Sequence, residues 1–409
     1  MEANVYAIAT MDTKGEELVF VASCLRDSGV NVIMIDVGTL GPPTFRPDIS
    51  MQGLIGESNL ASSGDRGLAI AQMSQALRDF LITEHMAGKV SGVIGLGGSG
   101  GTSLITAAMR CLPIGMPKLM VSTMASGNTA PYVDCSDITM MYSVVDIAGL
   151  NGVLVKILGN AANAMAGMVS HATRPVDLKP TLGMTMFGVT TPCVTAVRQA
   201  MEKKGYECLV FHATGTGGRA MEQLVESGLI QGVLDITTTE VADEVVGGVL
   251  ACGPHRFEKL LASRVPLVLS VGALDMVNFG GLETVPEKFR NRNLHVHNAQ
   301  VTLMRTNVEE NRRFAEWIAE RLNRSVSPLV VMIPEKGISG LDAFGQPFYD
   351  PVADQALFDE LELRIHQNSG RRIVRLPYHV NDPEFAEALV TEFQKLCQVE
   401  IPQENGRSR

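Results

Sequence analysis

A chain of 409 residues exceeds the length at which one hydrophobic core usually stops growing, so two domains are expected. With 45% hydrophobic and 19% charged residues it has the composition of a globular protein with large buried parallel sheets. A formal net charge of -10 argues against a nucleic-acid partner, because phosphate contacts need clustered Lys and Arg.

Short β-branched runs predict strands at 5–9, 31–36, 92–95, 118–122 and 138–142, with helices such as 16–28 and 102–110 between them. Alternating strand and helix implies right-handed crossovers and a parallel sheet covered on both faces, the α/β class. The connection at 41–89 is long, opens Gly-Pro-Pro, and ends in a helix predicted from about 65 toward 85. A connection of that length is functional or carries its own structure. A Gly/Ala/Asn-rich helix at 151–170 precedes a polar, proline-containing stretch at 171–180 that reads as a linker. The first lobe is therefore expected at 1–175 and the second at 181–409.

Beyond the linker the pattern restarts. Residues 10–39 are echoed by 187–218, 91–103 by 231–244, and 116–128 by 264–280, in the same order. Such an order marks an internal duplication, whose second copy lacks the 41–89 insertion. Two Rossmann-like lobes with parallel sheets follow, enclosing a polar cleft at the carboxyl ends of their strands. Later elements are an amphipathic helix at 309–324, a strand at 329–333 and a terminal helix at 383–397.

Seven scattered cysteines without a Cys-x-x-Cys pair fit free thiols in a reducing compartment, not a disulfide frame or zinc site. The opening residues show no basic segment leading into an apolar one, and no run of 18 apolar residues occurs. A cytoplasmic location with no membrane partner is expected.

The strongest chemical signal is Gly95-Leu96-Gly97-Gly98-Ser99-Gly100-Gly101-Thr102, between an apolar strand and a helix that Thr102 or Ser103 is expected to cap. Glycines there are expected to turn with positive φ and bring N–H groups to an anion, helped by the helix dipole. Close packing is the competing explanation, which the strand–turn–helix context disfavours. No Lys follows the glycines, which excludes a Walker A loop. Nor is this the first βα turn, as a standard NAD site requires.

The first turn, 10–16, falls on the same sheet edge. Lys14 offers a point charge to phosphate, while Asp12 and Thr13 either join it or cap the helix. Arg66 offers a guanidinium for phosphate oxygens or is a surface charge. Asp36 either meets a ribose hydroxyl or caps the Gly38-Thr39 turn, and Ser126 is a candidate to line base or sugar. In the second lobe His212, Asp235, Glu240 and Asp342 are candidate acid/base groups or Mg²⁺ ligands; each is otherwise a cap or turn residue. His295 and His297 alternate like a strand, with no third metal ligand at recognisable spacing.

Taken in order, MDTKGEE (11–17), GDRG (64–67), GLGGSGGTS (95–103), FHATGTGG (211–218), DITTTE (235–240) and GISGLDAFGQPFYDP (337–351) span nearly the whole chain. They resemble the ATP-binding domain family named after the tomato mosaic virus resistance protein, with its uncharacterised bacterial members. The resemblance implies two Rossmann-like lobes, usually dimerised, with ATP in the first. It places Lys14, Arg66 and the loop of Gly97, Gly98, Ser99, Gly100, Gly101 and Thr102 around the phosphates. It implies no settled reaction, and the need for Mg²⁺ stays open. Three readings follow: an ATP-binding protein of unassigned reaction, a metabolic enzyme, or an ATP-regulated protein-interaction module. The enzyme would act on a small phosphorylated or carboxylated substrate, with ATP as donor or effector.

Overall fold

The β-branched runs form two six-stranded parallel sheets, one in each of the units Met1–Val176 and Asp177–Arg409 into which the chain divides. The structure is a computed structural model describing residues 3–39, 41–55, 66–171 and 179–398. Most of the predicted linker lies outside the described residues.

The first sheet contains β1 (Asn4–Ala9), β2 (Val32–Asp36), β3 (Ile49–Ser50), β4 (Val90–Gly97), β5 (Lys118–Ser122) and β6 (Thr139–Tyr142). Their order across the sheet is β3-β2-β1-β4-β5-β6. The helices are α1 (Met11–Asp27), α2 (Met51–Ile55), α3 (Arg66–Met86), α4 (Ser99–Met109), α5 (Ala130–Val133) and α6 (Gly152–Ser170). Alternation along β1 sorts its side chains. Val5, Ala7 and Ala9 join Leu18, Val21 and Leu25 of α1 and Leu154, Leu158 and Met165 of α6. Tyr6 and Ile8 join Met73, Leu77 and Leu81 of α3 and Leu104, Ile105 and Met109 of α4. Helix α6 has the length and composition of a membrane span, yet its apolar stripe lies against α1, β4 and β5.

Two helix starts differ from expectation. α1 begins at Met11 behind Thr10, so neither Asp12 nor Thr13 is its N-cap. α4 begins at Ser99 behind Gly98, which puts Thr102 and Ser103 inside the helix. Instead of capping, the buried Thr102 hydroxyl meets Ser122 Oγ at 2.6 Å, tying α4 to β5.

The second sheet contains β7 (Thr181–Met186), β8 (Glu207–His212), β9 (Gly232–Thr237), β10 (Leu267–Gly272), β14 (Leu329–Pro334) and β15 (Arg371–Leu376). Read from β8, its order is β8-β7-β9-β10-β14-β15, and the first five repeat β2-β1-β4-β5-β6 of the first sheet. The duplicated sequence thus folds to a duplicated topology. Between β10 and β14 the second unit inserts an antiparallel sheet of β11 (Met276–Phe279), β12 (Leu294–Asn298) and β13 (Val301–Arg305), in order β11-β13-β12. Its helices are α7 (Thr191–Lys203), α8 (Gly217–Glu226), α9 (Thr239–Val246), α10 (Glu258–Ala262), α11 (Val308–Leu322), α12 (Pro351–Arg364) and α13 (Pro383–Cys397).

Arg305, at the end of β13, fastens the long loop between β14 and α12. Its Nε donates to Phe348 O at 2.6 Å, and Nη2 donates to Asp350 O at 3.2 Å and Asp354 Oδ1 at 2.6 Å. Asp342 lies 3.5 Å from the same Nη2 and accepts from Ile338 N at 2.9 Å. Asp275 accepts from the Ser339 hydroxyl at 2.7 Å, leaving its buried Oδ1 without a partner. Burial, with the Asp342 charge beside it, pushes the Asp275 carboxyl up to about 7. Burial likewise pushes Asp354 up to about 8, against the pull of Arg305.

Both values lie above the ordinary carboxyl range of about 3.9. Between roughly pH 4 and 8 the folded chain therefore holds protons that the unfolded chain has released, and stability falls as pH rises across that window. The urea midpoint of the full chain is expected to drop from pH 5 to pH 8, and Asp354→Asn is expected to flatten that slope. Parallel pH profiles for wild type and variant would refute the assignment.

Candidate functional site

The exits of β1, β2 and β4 converge on a cavity of about 280 Å³ in the first lobe. Thr10, Asp12, Thr13 and Lys14 line it from the first turn, Val37 and Thr39 from the second, and Gly98, Ser99, Gly100 and Gly101 from the third. Ile70 of α3 and Leu104 of α4 complete the wall. From β1 the sheet grows one way through β2 and the other way through β4, so the cavity occupies the switch point where ligands of open α/β sheets bind.

The glycines of this loop divide by function. None of Gly95, Gly97, Gly98, Gly100 and Gly101 has a left-handed φ, so the expected positive-φ turn does not occur. Gly95 is forced by packing: a Cβ there would lie 2.6 Å from Met120 Sδ. At Gly97 a Cβ would lie 2.8 Å from Thr102 N, which again requires glycine. At Gly98, Gly100 and Gly101 the nearest neighbour of a Cβ would be 3.7–3.8 Å away, so packing does not forbid a Cβ at these positions. Those three bare positions sit where the first-turn N–H groups of α4 have no i−4 carbonyl to bond. Bare backbone, unpaired amides and the positive end of a helix dipole together form an anion cradle.

Lys14 brings the charge. The backbone of α1 is non-helical at this residue (φ -132°, ψ 26°), and its ammonium donates to Ile147 O at 2.9 Å. That bond uses one of three donors. The Thr10 and Thr13 hydroxyls meet at 3.2 Å, and Thr13 Oγ1 donates to Asp12 Oδ1 at 3.3 Å. Asp36 stands behind the wall: its buried Oδ1 accepts from Met11 N at 2.9 Å and Gly38 N at 2.8 Å. It thereby fixes the start of α1 to the exit of β2, and burial pushes its pKa up.

Of the expected ligand residues, the cavity wall includes Asp12, Thr13, Lys14, Gly98, Ser99, Gly100 and Gly101. It does not include Asp36, Gly97, Thr102 or Ser126, the last being the exposed final residue of a short 3₁₀ turn. Arg66 opens α3, and its side chain lies outside the described residues. Sequence reasoning did not single out Thr10, Val37, Thr39, Ile70 or Leu104. Thr10 and Thr39 lie within the turns already named, but without a ligand role. Ile70 and Leu104 look like ordinary helix positions.

In the second lobe, His212 is exposed at the end of β8, its ring stacked on Phe187 with centroids 5.4 Å apart. Asp235 and Glu240 are brought together, but inside the protein around Arg256. Its Nη2 lies 2.6 Å from Asp235, its Nη1 2.8 Å from Glu222 and its Nε 3.3 Å from Glu240. Thr185 donates to Asp235 at 2.6 Å, and Gly215 N donates to Glu240 at 2.7 Å. Burial pushes Glu222 up despite the attraction of Arg256. The glycine turn over this cluster is filled: a Cβ at Gly217 would collide with His212 O, and one at Gly218 with Arg256 Nε and Glu240 Oε2. Asp342 belongs to the Arg305 cluster instead. Among the described residues no group of three His, Cys, Asp or Glu has a metal-holding arrangement.

Residues 3–174 match the N-terminal domain of an uncharacterised protein family, UPF0261, and residues 179–397 match its C-terminal domain. A UPF0261 protein of Rhizobium meliloti is 52% identical over 399 residues, 96% of this chain and 99% of that protein. A UPF0261 protein of Clostridium tetani is 48% identical over 395 residues, 95% of this chain and 98% of that protein. The ToMV resistance protein Tm-1 of Solanum lycopersicum is 51% identical over 419 residues. That match takes in 96% of this chain and 56% of the tomato protein, so the chain spans about half the length of that relative. With both domain models matched in order across nearly its whole length, the chain belongs to the UPF0261 family.

Proposed function

We propose that the first lobe binds a phosphate-bearing ligand, ATP, in the cavity at its switch point. One observation carries this reading: the N-terminus of α4, three glycines that packing does not require and Lys14 line a single cavity. Each favours an anion, and together they suit a phosphate group. The choice of ATP rests on the motif resemblance. The volume of about 280 Å³ lies just under the ~300–1,000 Å³ usual for ligand sites. In the ATP reading it houses phosphates, with base and sugar beyond it. The same volume supports a second reading, a small phosphorylated metabolite that fills the cavity alone.

Asp12 on the cavity wall is the carboxylate placed to accompany Mg²⁺, if the triphosphate enters with its cation. The chain in this reading is a cytoplasmic homodimer, and its seven free cysteines suit a reducing compartment. If the protein is a metabolic enzyme, the exposed His212 is the better candidate for proton transfer. Asp235 and Glu240 are enclosed around Arg256.

Calorimetric titration with ATP, with and without Mg²⁺, tests the site. Removing a charge-assisted contact of about 1.5–3 kcal/mol predicts that Lys14→Ala weakens binding roughly 10- to 150-fold. Gly98→Val is expected to block approach of the phosphates and lose at least about tenfold in affinity. It should keep the wild-type melting temperature, since a Cβ there meets nothing closer than 3.8 Å. Wild-type protein that binds neither ATP nor a phosphorylated metabolite would sink the reading.

His212→Ala is expected to leave ATP affinity unchanged and, under the enzyme reading, to abolish turnover. Glu240→Ala is a poor probe of catalysis, because it strips a carboxylate from buried Arg256 and costs about 3–5 kcal/mol of stability.

A further inference from the structure

A second recess, of about 410 Å³, opens in the second lobe and is lined by Glu258, Leu261 and Ala262 from α10 and by Arg321, Arg324 and Val326. Its wall is largely apolar, and Arg321 is its fixed charge. The guanidinium lies 3.4 Å from the centroid of the Trp317 ring. Nη1 donates to Trp317 O at 3.1 Å and Nη2 to Pro254 O at 3.0 Å. Both acceptors are neutral, and the buried Nε has no hydrogen-bond partner.

Two acids, Glu320 and Glu258, attract Arg321 without a close contact to it. Glu320 reaches Arg321 only at 3.9 Å and pairs with Arg324 at 2.5 Å. Glu258 pairs with His255 at 3.0 Å. Arg321 is thus a partly desolvated cation, immobilised by stacking and two carbonyls, without a carboxylate in close contact. A cation in that condition gains more from an incoming anion than a solvated one does, because the desolvation cost has already been met in folding. The planar guanidinium matches a carboxylate in particular.

We infer that this recess binds a small organic acid, whose carboxylate pairs with Arg321 and whose apolar body lies along Leu261, Ala262 and Val326. The site lies wholly within the second lobe and does not depend on the phosphate cavity of the first. Charge complementarity selects the anionic head, and the apolar wall selects the tail. A free phosphate or a polar dicarboxylate lacks the second element.

Trp317 is the one tryptophan of the chain, so its emission reports on the stacked Arg321 directly. Octanoate titrated into the full-length protein is expected to give a saturable change in that emission. Octylamine, with the same tail and opposite charge, is expected to give none. By calorimetry, Arg321→Met is expected to weaken octanoate at least tenfold. Ala262→Glu changes an exposed residue at the rim. It is expected to weaken octanoate as much while keeping the wild-type melting temperature and starting emission. No saturable response to octanoate at millimolar concentration would overturn the inference. So would an equal response to octylamine, or unchanged octanoate affinity in Ala262→Glu.

Discussion

All strands of each main sheet run in one direction, so every loop that follows a strand falls on the same edge. Where the strand order reverses, the crossovers on either side diverge and leave a crevice that something must fill. In the first lobe the crevice stays open between β1 and β4. Asp36 holds its rim by bonding the amides of Met11 and Gly38. The position of Lys14, the start of α4 and the cavity between them all follow from that geometry.

The second lobe meets the same constraint differently. At the exits of β7, β8 and β9 the interior is filled by Arg256 and the carboxylates of Glu222, Asp235 and Glu240. Gly217 and Gly218 are needed there because the protein presses against them, whereas a Cβ at Gly98, Gly100 or Gly101 would meet only ordinary van der Waals contact. Two glycine turns that look alike in sequence therefore have opposite physical causes. One is closed by its own ion cluster, and the other is left open at a helix N-terminus.

Buried charge is the recurring material of the second lobe. Arg256 and Arg305 each gather three carboxylates, and each cluster ties together segments far apart in the chain. A buried carboxylate is costly unless it is paired, hydrogen-bonded or protonated. The Arg256 cluster meets that condition by pairing with the guanidinium and by hydrogen bonds from Thr185, Gly215 and Phe257. Around Arg305, burial pushes the Asp275 and Asp354 carboxyls up, which favours their protonated forms. Arg321 is a looser case, a half-buried cation whose nearest carboxylate, that of Glu320, stands 3.9 Å away.

The sequence by itself determined the α/β class, the duplication and most of the elements. It placed the strand at Lys118–Ser122 and the terminal helix at Pro383–Cys397 at their observed bounds. It also identified both turns that supply Lys14 and Gly98–Gly101 to the cavity. Those features are local: periodicity, β-branching and turn residues act over a few positions. Helix starts were less legible, because glycine-led α4 begins without a side-chain cap and so gives no capping signal. Folding in three dimensions settled which glycines are forced by packing, and that Thr102 ties α4 to β5 instead of capping it. It alone enclosed Asp235 and Glu240 around an arginine 21 and 16 positions further along the chain. Such partners meet through the crossing of strands in a folded sheet, and no local pattern of residues encodes that meeting.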